Sequence, residues 1–396
     1  MHGMDEHKLS RNLDTLLGGW VERGALPCVQ ALVHRRGEIV YRRGFGYADL
    51  ATRRPLADDA IFRLYSMTKV FTSVAALMLL EEGRYKMHDP VSRYLPAFAA
   101  AKVGEIDPAG QLLLVPPHRE IIVRDLFTMA SGLTYPGDGS VTERELARVW
   151  RRIGAAEKAG KPWSTSTVLK EMARVPLAFH PGEHWRYGFS IDVLGLLIAE
   201  LSGQTLGQFM AERIFTPLGL RDTGFYLPAD KADRLVTMYE VNAAGQFKPA
   251  GFDVTYSAPP ATFESGGGGL LGTLDDVGRF ARLLLGEGAL DGVRLLSRKS
   301  VELMRTNHLT PQQLADYTWD TQRGYGYGLG VRVMMHPEIA GYGTVGEFAW
   351  DGMAGTWFAV DPTEQLVAVL MVQTNPGRHY QFVPNFAGTV YGAIAD

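Results

Sequence analysis

One cysteine, Cys28, is all that 396 residues contain. A single thiol rules out an intrachain disulfide and a thiolate metal cluster. An excess of charge of one sign is also missing: 40 Lys and Arg against 43 Asp and Glu leave a formal net charge of −3. That balance gives no electrostatic reason to expect nucleic acid or an anionic membrane as a partner. No uninterrupted apolar run reaches membrane-spanning length, because Glu81-Glu82-Gly83 ends the longest one. The polar segment from His2 to Asn12 lacks the apolar core of a signal peptide, so a cytoplasmic location is expected. G-x-S-x-G is absent; Gly188-Phe189-Ser190-Ile191-Asp192 lacks its last glycine, which argues against a nucleophile elbow. There is no internal repeat and no low-complexity linker.

What is present is one S-x-x-K, Ser66-Met67-Thr68-Lys69, followed by the apolar run Val70 to Leu80. On a helix, residues i and i+3 share a face, which sets the Lys69 amine beside the Ser66 hydroxyl. Apolar neighbours (Val70, Phe71, Val74, Leu77) desolvate such a lysine and favour its neutral, basic form. The helix start adds unpaired N–H groups suited to an oxyanion. The plainer reading of the same residues is an N-cap serine and a first-turn surface lysine.

The periodicity predicts a helix over Leu9 to Arg23, strands over Val29 to His34 and Ile39 to Tyr41, then the S-x-x-K helix. This order suggests a sheet covered on one face by helices. From 87 to 263 the pattern is mainly helical, with candidates at Ile121 to Met129, Leu146 to Ile153, Thr165 to Arg174 and Ile191 to Leu201. Helices at Asp275 to Gly286 and Ser297 to Thr306 follow. Strands at Tyr327 to Val333, Gly355 to Asp361 and Leu366 to Val372, and a helix from Phe382 to Ile394, close the chain. The expectation is an α+β fold: an antiparallel sheet flanked by helices and built from both chain ends (1–86 and 264–396), with a mainly helical inserted domain (87–263) and the site between them.

Two further segments carry chemistry. Tyr187 follows the Pro181-Gly182 turn at the mouth of the predicted 191–201 helix, where a nearby lysine and helix N-terminus are expected to lower its pKa and make it a proton shuttle. Trp350-Asp351-Gly352-Met353 precedes a strand; Gly352 permits close approach of a ligand, and the Met353 N–H is a candidate oxyanion donor.

Ser-x-x-Lys, Pro-Gly-x-x-x-x-Tyr and Trp-x-Gly, in this order, resemble the motifs of serine β-lactamases and penicillin-binding proteins. Ile122 to Leu133, Pro217 to Thr223 and Gly266 to Leu270 also resemble signatures of the class C β-lactamase-like superfamily, so the resemblance covers nearly the whole chain. Within it, the sequence looks most like the family VIII carboxylesterases. Phe189 stands where β-lactamases carry an amide, and Trp350 where they carry a cation. The departure points to neutral, short-acyl or small esters in place of anionic β-lactams. The resemblance implies two-step acyl transfer: Ser66 as nucleophile, Lys69 and Tyr187 sharing its proton, Ser66 and Met353 N–H groups as oxyanion hole. Trp350, Gly352, Tyr135, Phe189 and Asp351 are expected to line the substrate. Which of Lys69 and Tyr187 is the formal base stays open. β-Lactamase, amidase or peptidase activity, acyl transfer to an alcohol, and a catalytically silent sensor remain as alternatives.

No cofactor, metal, nucleic acid or membrane partner is expected beside the small-molecule ester. Gly267, Gly269 and Gly272 fit G-x-G-x-x-G, but Ala261 to Ser265 does not read as the strand that must precede a nucleotide loop. His180 and His184 have zinc-like spacing, yet Pro181-Gly182 between them forbids the helix that would align both rings.

Overall fold

The computed structural model describes residues 3–161, 163–250, 263–319 and 322–396. Its centre is an eight-stranded antiparallel sheet. The strands are β1 (Cys28–Arg35), β2 (Glu38–Asp49), β3 (Arg54–Pro55), β4 (Tyr325–Tyr327), β5 (Arg332–Met334), β6 (Phe348–Asp351), β7 (Trp357–Asp361) and β8 (Leu366–Met371). Their order is β4-β5-β6-β7-β8-β1-β2-β3, so the C-terminal strand β8 pairs with the N-terminal β1, Leu32 facing Val369. Both chain ends build the sheet, as the sequence pattern predicts.

Side-chain alternation explains why these strands read as almost continuously apolar. Trp357, Ala359, Leu366, Ala368 and Leu370 join Val29, Ala31 and Val33 in one core. Helices α1 (Glu6–Glu22) and α5 (His379–Tyr391) cover it, with Trp20 and Phe382 in edge contact at 4.8 Å. Phe358, Val360, Val367, Val369 and Met371 point the other way, into the core of α2 (Thr68–Glu81), α3 (Ser190–Ser202) and α4 (Leu274–Leu285). Helices therefore cover both faces of the sheet, where the order of the first elements suggested one. Helix α2 is apolar around its circumference and buried from Thr68 to Leu79. Phe71 stacks on Phe280 of α4 at 3.6 Å, and α2 also packs on α3.

Several boundaries differ from expectation for local reasons. Strand β2 continues through Gly44 and Gly46; the Pro27 carbonyl leaves no room for a side chain at Gly46, and Gln30 leaves only a tight fit at Gly44. The predicted strand over Tyr327 to Val333 is two strands, because Gly330 turns at φ +78 and Gly328 N–H bonds the Val331 carbonyl. Phe348–Asp351 is itself a strand. The predicted 121–129 helix is one short turn, Val123–Phe127, whereas 146–153 lies inside the longer Val141–Lys158. A hairpin, Val103–Ile106 with Leu112–Val115, interrupts the mainly helical 87–263 stretch. Among the described residues no helix is long and apolar enough to cross a membrane.

Candidate active site

Ser66 lies in a single 3-10 turn, Tyr65–Met67, that feeds α2. Tyr65 holds φ at +45, a conformation that bulky residues rarely adopt and that costs roughly 1–3 kcal/mol. The turn is pinned on both sides. Leu64 N–H bonds the Leu270 carbonyl at 2.9 Å, and Leu270 N–H bonds the Thr68 hydroxyl at 3.0 Å. Ser66 remains partly exposed while Lys69, one turn on, is fully buried.

Lys69 Nζ lies 3.0 Å from Ser66 Oγ, 2.9 Å from the Tyr135 hydroxyl and 2.6 Å from the Gly267 carbonyl oxygen. Burial lowers its pKa from 10.5 to about 7, against the opposing pull of Asp192 and Asp351. The surface-lysine reading is therefore excluded. At neutral pH a substantial fraction of Lys69 is a free amine beside the serine hydroxyl.

Tyr187 reaches the same point from the segment before α3. Its ring lies 4.6 Å from Lys69 Nζ, and Trp350 Nε1 donates to its hydroxyl at 3.2 Å. The expected lowering of its pKa is reversed. Burial pushes the phenol well above its ordinary value, and its hydrogen bonds with Ser66 and Trp350 offset only part of this. Tyr187 is thus a neutral phenol across physiological pH and a proton donor by default.

The other predicted residues fall in different places. Trp350 in β6 is fully buried and meets the site through its bond to Tyr187. Gly352 packs so closely on the Leu64 carbonyl that a Cβ there would run into it, which brings the Gly352–Thr356 turn against the Ser66 turn. Met353 is exposed, and among the described residues no acceptor is paired with its N–H. Asp351 forms a 2.7 Å ion pair with Arg332; burial works against its charge, but His379 and Arg332 hold the carboxyl below its usual range. Phe189 is buried behind Tyr135, ring centroids 4.7 Å apart, and shapes the site through that phenol.

Beside Tyr187 opens a cleft of about 690 Å³. Phe179, Trp185 and Trp319 flank it, with Asp316 paired to His184 at 3.0 Å. Trp319 meets the Tyr187 ring edge-on at 5.0 Å. The two histidines of zinc-like spacing go to separate partners, His180 to Glu105 and His184 to Asp316. Among the described residues no group of three or more His, Cys, Asp or Glu is placed to hold a metal ion.

Gly267 and Asp192 had no role in the sequence reading. Gly267 belongs to the glycine run that resembles a family signature and fits the rejected nucleotide-loop pattern, and its carbonyl holds Lys69. Asp192, in the rejected elbow, accepts from Gly267 N–H at 3.1 Å. Local spacing carries no signal for either contact.

Residues 11–387 match the Beta-lactamase family. Protein Rv1367c of Mycobacterium tuberculosis is 34% identical over 365 residues, covering 90% of this chain and 88% of that protein. Esterase EstB of Burkholderia gladioli is 29% identical, covering 94% and 92%. Among solved structures, EstCE1, described as a hydrolase with promiscuous acyltransferase activity, superposes with a TM-score of 0.79 at 26% identity, covering 98% of this chain and 99% of its own.

Proposed function

The chain belongs to the beta-lactamase family, and we propose that it is an acyl-transferring serine hydrolase that cleaves neutral carboxylic esters through an acyl-Ser66 intermediate. One observation carries this reading: a fully buried Lys69, neutral in large part near pH 7, lies 3.0 Å from Ser66 Oγ. The likeness to EstB and EstCE1 supports the same class of chemistry.

In the proposed mechanism, Ser66 Oγ attacks the ester carbonyl carbon as the Lys69 amine takes the hydroxyl proton. The N–H groups of Ser66 and Met353 receive the oxyanion of the tetrahedral intermediate. Collapse breaks the bond to the alkoxide, and Tyr187, neutral because it is buried, protonates that oxygen. The Lys69 ammonium restores the Tyr187 proton, so the alcohol leaves with the proton that Ser66 gave up. Water then attacks acyl-Ser66 and loses a proton to Lys69; Tyr187 protonates Ser66 Oγ as the acid leaves, and the Lys69 ammonium again restores the Tyr187 proton. This assigns the base to Lys69 and the acid to Tyr187.

Neutral esters are favoured over anionic β-lactams because Trp350, an indole bound to Tyr187, occupies the β6 position where a substrate carboxylate would need a cation. The test is hydrolysis of p-nitrophenyl acetate, butyrate and octanoate alongside nitrocefin, with wild type and Ser66→Ala. Ester turnover lost in the variant, with little nitrocefin cleavage, is expected. Nitrocefin turnover rivalling the esters overturns the substrate class, and ester turnover surviving in Ser66→Ala overturns the mechanism.

Transfer of the acyl group to an alcohol is the second reading. It is favoured by the 690 Å³ cleft beside Tyr187, which is larger than a short ester needs and has room for an acceptor. Appearance of a new ester when a bulky alcohol is supplied with p-nitrophenyl butyrate is the corresponding test; free butyrate as the sole product excludes it.

A further inference from the structure

We propose that Asp192 is a positioning residue for the base: by gripping Ser265 and Gly267 it fixes the carbonyl that aims Lys69 at Ser66. The inference rests on the acyl-Ser66 reading and adds to it a residue that never touches substrate.

The argument begins with hydrogen-bond inventory. A neutral lysine amine has two N–H donors and one lone pair. The Gly267 carbonyl can only accept, so at 2.6 Å it takes one N–H. The Tyr135 hydroxyl, at 2.9 Å, takes the other. The lone pair is left for Ser66 Oγ, 3.0 Å away, whose proton it must accept. The direction of the Gly267 carbonyl therefore decides whether the base faces the nucleophile.

That carbonyl sits in a short turn, 266–268, which its own backbone closes only through Gly268 and Gly269 N–H bonds to the Ser265 carbonyl. Asp192, in the first turn of α3, holds it: Oδ1 accepts from both the Ser265 hydroxyl and Gly267 N–H. A Cβ on Gly267 would run into Asp192 Oδ2, so loop and carboxylate are in direct contact. From the other side, Thr72 of α2 donates to the Gly266 carbonyl at 2.7 Å. The helix that carries Lys69 and the helix that carries Asp192 thus clamp the loop between them.

Packing does not account for a carboxylate here. Asp192 is 1% exposed, and among the described residues its Oδ2 has no hydrogen-bond partner. Burying an unpaired carboxylate oxygen is unfavourable, and an apolar side chain would fill the position without that penalty. Burial accordingly raises the Asp192 carboxyl above its usual range, and it is the Lys69 ammonium, once formed, that offsets this and that Asp192 favours. Around the Nζ atom stand the carboxylates of Asp192 and Asp351 and the phenols of Tyr135 and Tyr187. When Lys69 takes the Ser66 proton, its ammonium forms opposite those two carboxylates.

The experiment compares Asp192→Ala, Asp192→Asn and Ser265→Ala with wild type in short-ester hydrolysis from pH 5 to 10, with rates normalised to Ser66 titrated by a phosphonate. Asp192→Ala removes the grip, and a misplaced base is expected to lower kcat by about 100-fold with KM little changed. Asp192→Asn retains an acceptor for Gly267 without the charge. It is expected to lose less rate, and its acid limb should move to lower pH because the ammonium is no longer favoured. Ser265→Ala removes one bond to the carboxylate at a partly exposed site; a smaller, kcat-only loss is expected, and this variant carries the test if the Asp192 variants do not fold. A residue that merely stabilises the fold lowers the number of titratable sites and leaves kcat per site and the acid limb in place; that result overturns the proposal. Ser66→Ala, run in parallel, separates the two claims. Activity surviving there removes the acyl-enzyme reading, whereas an inactive Ser66→Ala beside unaffected Asp192 and Ser265 variants removes only this inference.

Discussion

Replacing Lys69 by methionine is expected to abolish activity and, near pH 7, to make the protein more stable. Lys69 is fully buried, and burial brings its pKa from 10.5 to about 7. At 1.36 kcal/mol per pH unit, a protonated Lys69 in the fold carries a penalty of about 5 kcal/mol. The unfolded lysine keeps its proton up to about pH 10.5, while the folded one gives it up near 7. Between those values the unfolded state binds more protons, so wild-type stability gains about 1.4 kcal/mol per pH unit from this residue as pH rises. Methionine removes the whole term. It also strips a partner from the Gly267 carbonyl and the Tyr135 hydroxyl, a loss of about 1–3 kcal/mol. The net result at pH 7 is a variant about 2–4 kcal/mol more stable than wild type. The advantage shrinks with pH, crosses zero near about pH 9, and turns into a deficit that is complete above about 10.5. Urea unfolding of both proteins at pH 7, 9 and 10.5 measures it. A variant less stable at pH 7, by an amount that does not change with pH, refutes the buried neutral lysine.

Other substitutions probe the remaining parts. Tyr187→Phe removes the proton donor and is expected to lower kcat by about 10²–10⁴-fold with KM little altered; an equal loss spread over KM would indicate a packing role. Trp350→Phe deletes the 3.2 Å bond to the Tyr187 hydroxyl while keeping an aromatic ring in β6, so kcat should fall by about 10-fold with the folded population unchanged in near-ultraviolet circular dichroism. Gly352→Ala places a methyl against the Leu64 carbonyl next to the nucleophile turn, and loss of phosphonate labelling at Ser66 is the expected readout. Arg332→Met leaves the Asp351 carboxylate without its 2.7 Å partner, and thermal unfolding should report a destabilisation of about 3–5 kcal/mol.

What the sequence discloses about this site follows from how far apart the contacting residues lie along the chain. Ser66 and Lys69 are legible because their relation is one helical turn. Tyr187 and the Gly352 turn are legible only through their resemblance to known motifs, since nothing local brings them to Ser66. The pairing of Lys69 with Tyr135 spans 66 residues, and that of Lys69 with Gly267 spans 198. Both arise from the packing of α2 against loops that periodicity does not orient. The Tyr187 pKa shift runs opposite to the sequence expectation for the same reason: helix-end and lysine effects are visible in sequence, whereas burial among Trp185, Trp319 and Trp350 is a tertiary property that outweighs them. In the fold, strand pairing from both chain ends is readable because the apolar runs are long. Their lack of alternation is what two covering helical layers produce. The splitting of Tyr327–Val333 depends on one glycine at φ +78, which composition alone does not place.

The acyl-enzyme itself is the most direct object to measure. Wild type and Tyr187→Phe, mixed with p-nitrophenyl butyrate and quenched in acid within milliseconds to seconds, are to be digested and their peptides weighed. The account predicts one butyryl group per chain, on the peptide containing Ser66, accumulating in the variant and absent from Ser66→Ala. Turnover with no acylated peptide, or with the acyl group on another residue, contradicts it.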